Sequence, residues 1–131
     1  MLYFVEDVAG LPATLVYGFQ NEGLTLASYS FEVIHANAND YINDYDNLKA
    51  ALIEVYGSPI ADKQVWKDDL FKDDPSSYGL AVSAGQLVYV ANWKTDTTNI
   101  ILGMDGDNYE ISLKLMYTTL NYNPDTNTGG L

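Results

Sequence analysis

One change of rhythm constrains this chain more than any other feature. Between residues 41 and 56, Tyr41, Tyr45, Leu48, Leu52 and Val55 recur at steps of four and three, which lines them up on one stripe of an α-helix. The stretches on either side alternate apolar and polar residues instead, the period of a strand with one face in a core. A lone amphipathic helix between two β-rich portions can bury its stripe only against the sheet that those portions build. The expectation is therefore the α+β class: an antiparallel β-sheet packed on one face by a long α-helix, in the order β-β-β-α-(short β/α)-β-β-β.

The signals along the chain agree with that order. Residues 2–8 form a short apolar run, and Ala9-Gly10-Leu11-Pro12 reads as a turn, since Gly and Pro punctuate both regular structures. Residues 14–20 alternate, with Leu15, Tyr17 and Phe19 on one face. Asn21-Glu22-Gly23 suits a tight turn, and residues 24–34 resume the alternation through Ala27, Tyr29, Phe31 and Val33. The helix opens on Asn39, Asp40 and Asp44, acceptors and negative charges suited to free N–H groups and the positive end of a dipole. It stops where Gly57 suits a left-handed residue and Pro59 forbids continuation.

Val65 and Trp66 suit a short strand. Beyond them, Asp74-Pro75 can open a short second helix through Tyr78, Leu80 and Val82, with a strand over 80–83 as the rival. Residues 86–94, 97–104 and 109–118 alternate throughout and form a three-stranded meander, with Asp105-Gly106 as its hairpin dipeptide. Residues 1–120 are expected to be one domain. Residues 121–131, polar and carrying Pro124 and Gly129-Gly130, are expected to be a flexible tail.

Charge narrows the partners. Eighteen acidic residues face six lysines and no arginine, a net charge of -12. Such a chain repels polyphosphate and lacks the planar fork that grips phosphate or carboxylate in two bonds, so nucleic acid is not an expected partner. Cysteine is absent, which excludes disulfides, thiolate chemistry and Cys-based metal sites. No apolar run approaches the roughly 20 residues of a membrane-spanning helix. The opening residues, from Met1 to Asp7, show neither a basic start nor a long apolar run, so no export signal is read there.

Catalytic motifs are scarce. The sole histidine, His35, falls at the end of an expected strand with no nucleophile-elbow pattern near any serine, so it reads as a locally bonded residue. Paired carboxylates can hydrolyse glycosides without histidine, but sequence does not say which pair meets in space. Asp68, Asp69, Asp73 and Asp74 place four carboxylates within seven residues. They are the weak candidates for a Ca²⁺ site, although their spacing fits no EF-hand loop and Lys67 and Lys72 would repel an ion. A solvated acidic loop is the competing reading. No cofactor is called for.

Eleven Tyr, four Phe and two Trp remain. Tyr41, Tyr45, Tyr29 and Phe31 fall on core-facing stripes, whereas Trp66, Tyr78 and Trp93 are less clearly placed. These three are the candidate ligand-binding residues, with core packing as the alternative.

The succession Tyr17-Gly18-Phe19, Leu24, Phe31, Tyr41, Leu48, Leu52, Tyr56-Gly57, Pro59 and Trp66 resembles small α+β domains of uncharacterised exported or lipid-anchored bacterial proteins. That resemblance implies an extracytoplasmic location and no assigned activity. The function expected on these grounds is a non-enzymatic binding or interaction domain that presents a sheet face or edge to a protein, peptide or glycan. A carboxylate-dependent hydrolase acting on carbohydrate, or a structural spacer in an assembly, are the alternatives.

Overall fold

The alternating segments pair into one antiparallel sheet. The computed structural model describes residues 2–8, 11–20, 23–31 and 33–119. In chain order they form β1 (Leu2–Val8), β2 (Leu11–Gln20), β3 (Gly23–Phe31), α1 (Asn39–Tyr56), β4 (Ala61–Trp66), a 3₁₀ turn (Pro75–Ser77), α2 (Tyr78–Ser83), β5 (Leu87–Lys94), β6 (Thr98–Asp107) and β7 (Glu110–Thr119). Among the described residues the sheet has seven strands in the spatial order β1-β2-β3-β7-β6-β5-β4. The β3–β7 ladder, from Leu26 opposite Thr118 to Ser30 opposite Lys114, joins the two β-rich portions.

A single apolar cluster lies on one face of this sheet. Its sheet side carries Ala13, Phe31, Leu87, Tyr89, Ala91, Trp93, Ile100, Leu102, Met104, Leu113 and Leu115, and the helices supply Tyr45, Leu48, Leu52, Ala81 and Val82. Burying a Leu- or Val-sized side chain contributes about 1.5–3 kcal/mol each, so this one layer carries most of the driving force.

The expectation of a sheet covered by one long helix needs correction. Two helices share the covered face, α1 with 18 residues and α2 with six. Small as it is, α2 buries Gly79, Ala81, Val82 and Ser83 and packs on β5, β6 and β7. The rival reading of residues 80–83 as a strand is thereby removed. On α1 the buried stripe is Tyr45, Leu48 and Leu52. Val55, expected on it, is 72% exposed, so the buried stripe ends at Leu52, one turn before the end of the helix.

Other boundaries moved for physical reasons. Leu11 and Pro12, expected in a turn, belong to β2 opposite Val8 and Asp7. Pro12 is tolerated because the β2–β3 ladder begins only at Ala13, so its missing N–H deprives no bond on that side. Strand β3 ends at Phe31, three residues before the expected end, and Ile34 is 94% exposed. Residues 9, 10, 21 and 22, from two of the expected turns, and the expected tail over 121–131 lie outside the described residues.

The meander turn also shifted. Strand β6 runs on through Asp105-Gly106 to Asp107, and the turn falls at Asn108 and Tyr109, with φ of +54° and +65°. Gly106 serves a different purpose. A Cβ there would meet the carbonyl oxygen of Val82 and lie 2.8 Å from the Ser83 Cα, so α2 can approach β6 only over a residue without a side chain. Gly79 plays the same part at the other end of α2, where a Cβ would come within 2.5 Å of the α1 backbone at Ala38 and Asn39.

The start of α1 shows why. Its N-cap is Ala38, with no side-chain capping bond. Asn39, expected to cap its own helix, clips the two helices together: its Oδ1 accepts from Gly79 N at 2.8 Å and its Nδ2 donates to the Ser76 carbonyl at 3.0 Å. Asp40 does lie in the first turn. Asp44, expected to serve the helix dipole, points its carboxylate at His35. At the far end Gly57 is the C-cap, with the positive φ of +83° that glycine permits but with ψ of -159° rather than the left-handed C′ conformation expected of it, and its carbonyl accepts Trp93 Nε1–H at 2.9 Å.

Candidate functional site

The three aromatic residues singled out from sequence do not form one surface. Trp66 and Tyr78 meet edge to face at 5.0 Å between ring centroids, and both pack half-buried against the core. The Tyr78 hydroxyl donates to the Lys72 carbonyl at 2.8 Å, which ties down the acidic loop. Trp93 is 1% exposed and its N–H is taken by Gly57, so it belongs to the core and leaves the candidate site. It also lies six residues along β5 from Leu87, the strand partner of Trp66, about 20 Å away at 3.3–3.4 Å per residue.

The acidic loop is organised by local bonds. Asp68 accepts from Leu70 N at 3.0 Å, and the Asp74 carboxylate accepts from the Ser76 and Ser77 hydroxyls at 2.6 and 2.8 Å. Those hydroxyl bonds hold the Asp74 carboxyl below its ordinary range. Among the described residues no three acidic or histidine side chains, Asp68, Asp69, Asp73 and Asp74 included, come together as metal ligands would.

Two other places gather chemistry. The first is the sheet face that no described element covers. Strand register puts Lys63, Val90, Gly103 and Lys114 side by side across β4, β5, β6 and β7. The neighbouring row holds Asn92, Ile101 and Met116. A hollow of about 220 Å³ opens over Gly103, walled by Val88, Val90, Ile101 and Met116, with Lys114 and Asp105 at its margin. Period-two alternation could have flagged it, since Val88, Val90 and Ile101 are apolar at positions opposite the core set.

The second is a cleft of about 480 Å³ between the loop that leads from β3 into α1, the end of α2 and the β6–β7 turn. His35 lines it, and its Nε2 lies 2.6 Å from the Asp44 Oδ2 on α1. The imidazole stands edge-on to the Tyr41 ring at 4.9 Å, and the His35 backbone N–H donates to the Tyr41 hydroxyl at 3.1 Å. Tyr109, Glu110 and Ser83 complete the walls. The sequence offered His35 only as a locally bonded residue. Its partner nine positions on follows from how the loop folds back over the first turns of α1, which no spacing rule announces. No family model, curated protein or solved structure matches this chain, so its function is read from these two sites.

Proposed function

We propose that this chain is a non-enzymatic binding domain whose open sheet face takes an extended segment of a partner protein, with the pattern acidic-x-apolar-x-acidic. The observation that carries the reading is the row Lys63, Val90, Gly103, Lys114. Neighbouring strands lie about 4.8 Å apart, which puts the two lysine Cα atoms about 14 Å apart across three strand spacings. In an extended peptide, residues i and i+4 are also about 14 Å apart and share a face with i+2 between them. Two carboxylates so spaced would meet the two lysines while the middle apolar side chain settles over Gly103.

Charge supports the same occupant. Three of the six lysines, Lys63, Lys94 and Lys114, stand on strand positions of this face although the chain as a whole carries -12. Among the described residues none of the three is in an ion pair. The surrounding negative field disfavours long polyanions, so a segment with two carboxylates suits the face better than a uniformly acidic one. The hydrolase and spacer readings draw no comparable support. Asp44, a well-shielded carboxylate, is already engaged by His35.

The test is a titration of the labelled protein with a short Glu-Ser-Leu-Ser-Glu peptide, watched through the methyl signals of Val88, Val90, Ile101 and Met116. Saturable shifts that vanish in Gly103→Leu and in Lys63→Glu/Lys114→Glu, and that a Lys-Ser-Leu-Ser-Lys peptide does not produce, are expected. Shifts that survive filling of the hollow, or no saturable shifts at all, would overturn the proposal.

A further inference from the structure

Strand β4 ends the sheet among the described residues, and three observations bear on its free edge. The first is a row of unused backbone groups. Hydrogen-bonded and non-bonded pairs alternate along an antiparallel ladder. Lys67 N donates to the Gln86 carbonyl at 2.7 Å, in step with the register that sets Val65 opposite Val88 and Lys63 opposite Val90. The odd-numbered residues therefore turn their N–H and C=O groups to β5, and Asp62, Gln64 and Trp66 turn theirs outward. No loop backbone among the described residues bonds to those outward groups, and residues 62–65 are exposed.

The second observation is what lies beside that edge. Asp62, Gln64 and Trp66 stand opposite Ala91, Tyr89 and Leu87 of the covered face, so their side chains share the side on which α1 lies. A crevice of about 330 Å³ runs there between α1 and β4, with Ile42, Asp46 and Lys49 on one wall, Asp62 and Gln64 on the other and Tyr89 of β5 below. A strand added to β4 would direct every second side chain into this crevice.

The third is charge. Lys49 Nζ lies 3.1 Å from the Asp62 Oδ2, whereas Asp46 is in no ion pair among the described residues. After burial, it is the Asp46 charge that raises the pKa of the Tyr89 phenol, so that carboxylate lies within electrostatic reach of the crevice floor. The crevice walls thus hold one carboxylate more than they hold cations, in a chain that carries -12. A second copy would bring the same net charge and no arginine, and its one lysine on β4 would point to the open face. Charge therefore favours a cationic partner over self-pairing.

We infer that the free edge of β4 takes an extended segment of a cationic partner protein as a further antiparallel strand, with an arginine opposite Asp62. The partner's backbone would complete the bonds of Asp62, Gln64 and Trp66. The guanidinium, with several donors in one plane, would reach both Asp62 and Asp46. This site is separate from the open-face reading, which calls for carboxylates on the other side of the sheet.

The probe is the capped peptide Thr-Val-Thr-Thr-Arg-Thr, whose first five residues would face residues 66 to 62 in turn. It should shift the amide signals of Asp62, Gln64 and Trp66 saturably and slow their hydrogen exchange. Methylating the peptide nitrogens of its first, third and fifth residues, which point at β4, should abolish binding, whereas methylating the second and fourth, which point away, should leave it. Replacing the peptide's Arg by Glu should weaken binding about tenfold or more, and Asp46→Asn, an exposed helix substitution, should weaken it severalfold. No saturable shift, equal losses from the two methylation patterns, or binding undiminished by both charge changes would overturn the inference.

Discussion

The two faces of strands β5, β6 and β7 arise from the same alternating residues, yet they do opposite work. On one face Leu87, Ala91 and Leu102 are fully buried, with Tyr89, Trp93, Met104, Leu113 and Leu115 nearly so. On the other, Val88, Val90, Ile101 and Met116 are only half-buried, and the row is broken by Gly103 and flanked by lysines. Apolar content is similar on both. What separates them is the pair of helices over the first face, with α2 brought close to β6 at Gly106, and the absence of any described element over the second.

The sharpest way to break this comparison is a pair of truncations on adjacent strands. Leu102→Ala removes a side chain enclosed by the helices and is expected to cost about 2–5 kcal/mol. Val90→Ala, on the open face, is expected to cost less than about 1 kcal/mol, since little apolar area returns to water. Urea unfolding midpoints of the two variants decide the matter, and similar losses would mean that the open face is covered in solution.

Gly106→Ala probes the device that seals the covered face. Its methyl group would meet backbone at Val82 and Ser83, which cannot rotate away, so a loss of about 1–3 kcal/mol is expected. Gly103→Ala, three residues earlier in the same strand, has only the Tyr89 carbonyl 4.0 Å away and is expected to be nearly neutral in the same thermal melt. Asn39→Ala tests the clip between the helices. It removes both the acceptor for Gly79 N and the donor to Ser76, and a loss of about 1–2 kcal/mol is expected in denaturant unfolding.

The smallest effect has the opposite sign. Tyr45 is wholly buried, and its hydroxyl has no partner among the described residues, so Tyr45→Phe should be neutral or stabilising by up to about 1 kcal/mol. The same phenol shapes behaviour at high pH. Burial, then the nearby Asp62 and Asp46, raises the Tyr45 pKa, and burial does the same for Tyr89. The unfolded chain releases these protons near pH 10 while the folded chain keeps them. Stability is therefore complete below about pH 10 and falls above it, by up to about 1.4 kcal/mol per pH unit for each such phenol. Tyr45→Phe should flatten that fall, which melts taken across alkaline pH would show.

Much of the local pattern could be read in advance, and the failures have identifiable causes. The alternation from Leu87 to Trp93 announced a half-buried strand, and Gly57 with Pro59 announced the end of a helix. Asp105-Gly106 announced a hairpin turn that lies three residues further on, because the need for a glycine there came from α2 rather than from the turn. Asn39 carried a capping signal and formed a tertiary clip instead. Trp66 and Trp93 looked equally available, yet one borders the acidic loop and the other is enclosed, since Trp66 lies on the edge strand β4 and Trp93 on β5, one strand further in.

What the amino-acid order determined by itself is everything that depends on neighbours within a few residues: the two periods, the α+β class with an antiparallel sheet, the acceptor-rich turns and the exclusion of thiol chemistry. Tertiary structure alone decided which of two apolar sheet faces would be covered, that β7 would lie beside β3, and that His35 would meet Asp44 above a cleft. The physical reason is that periodicity records how a side chain is directed from its own backbone. Coverage and partnership depend instead on contacts between residues far apart in the chain, whose closure is set by the whole core.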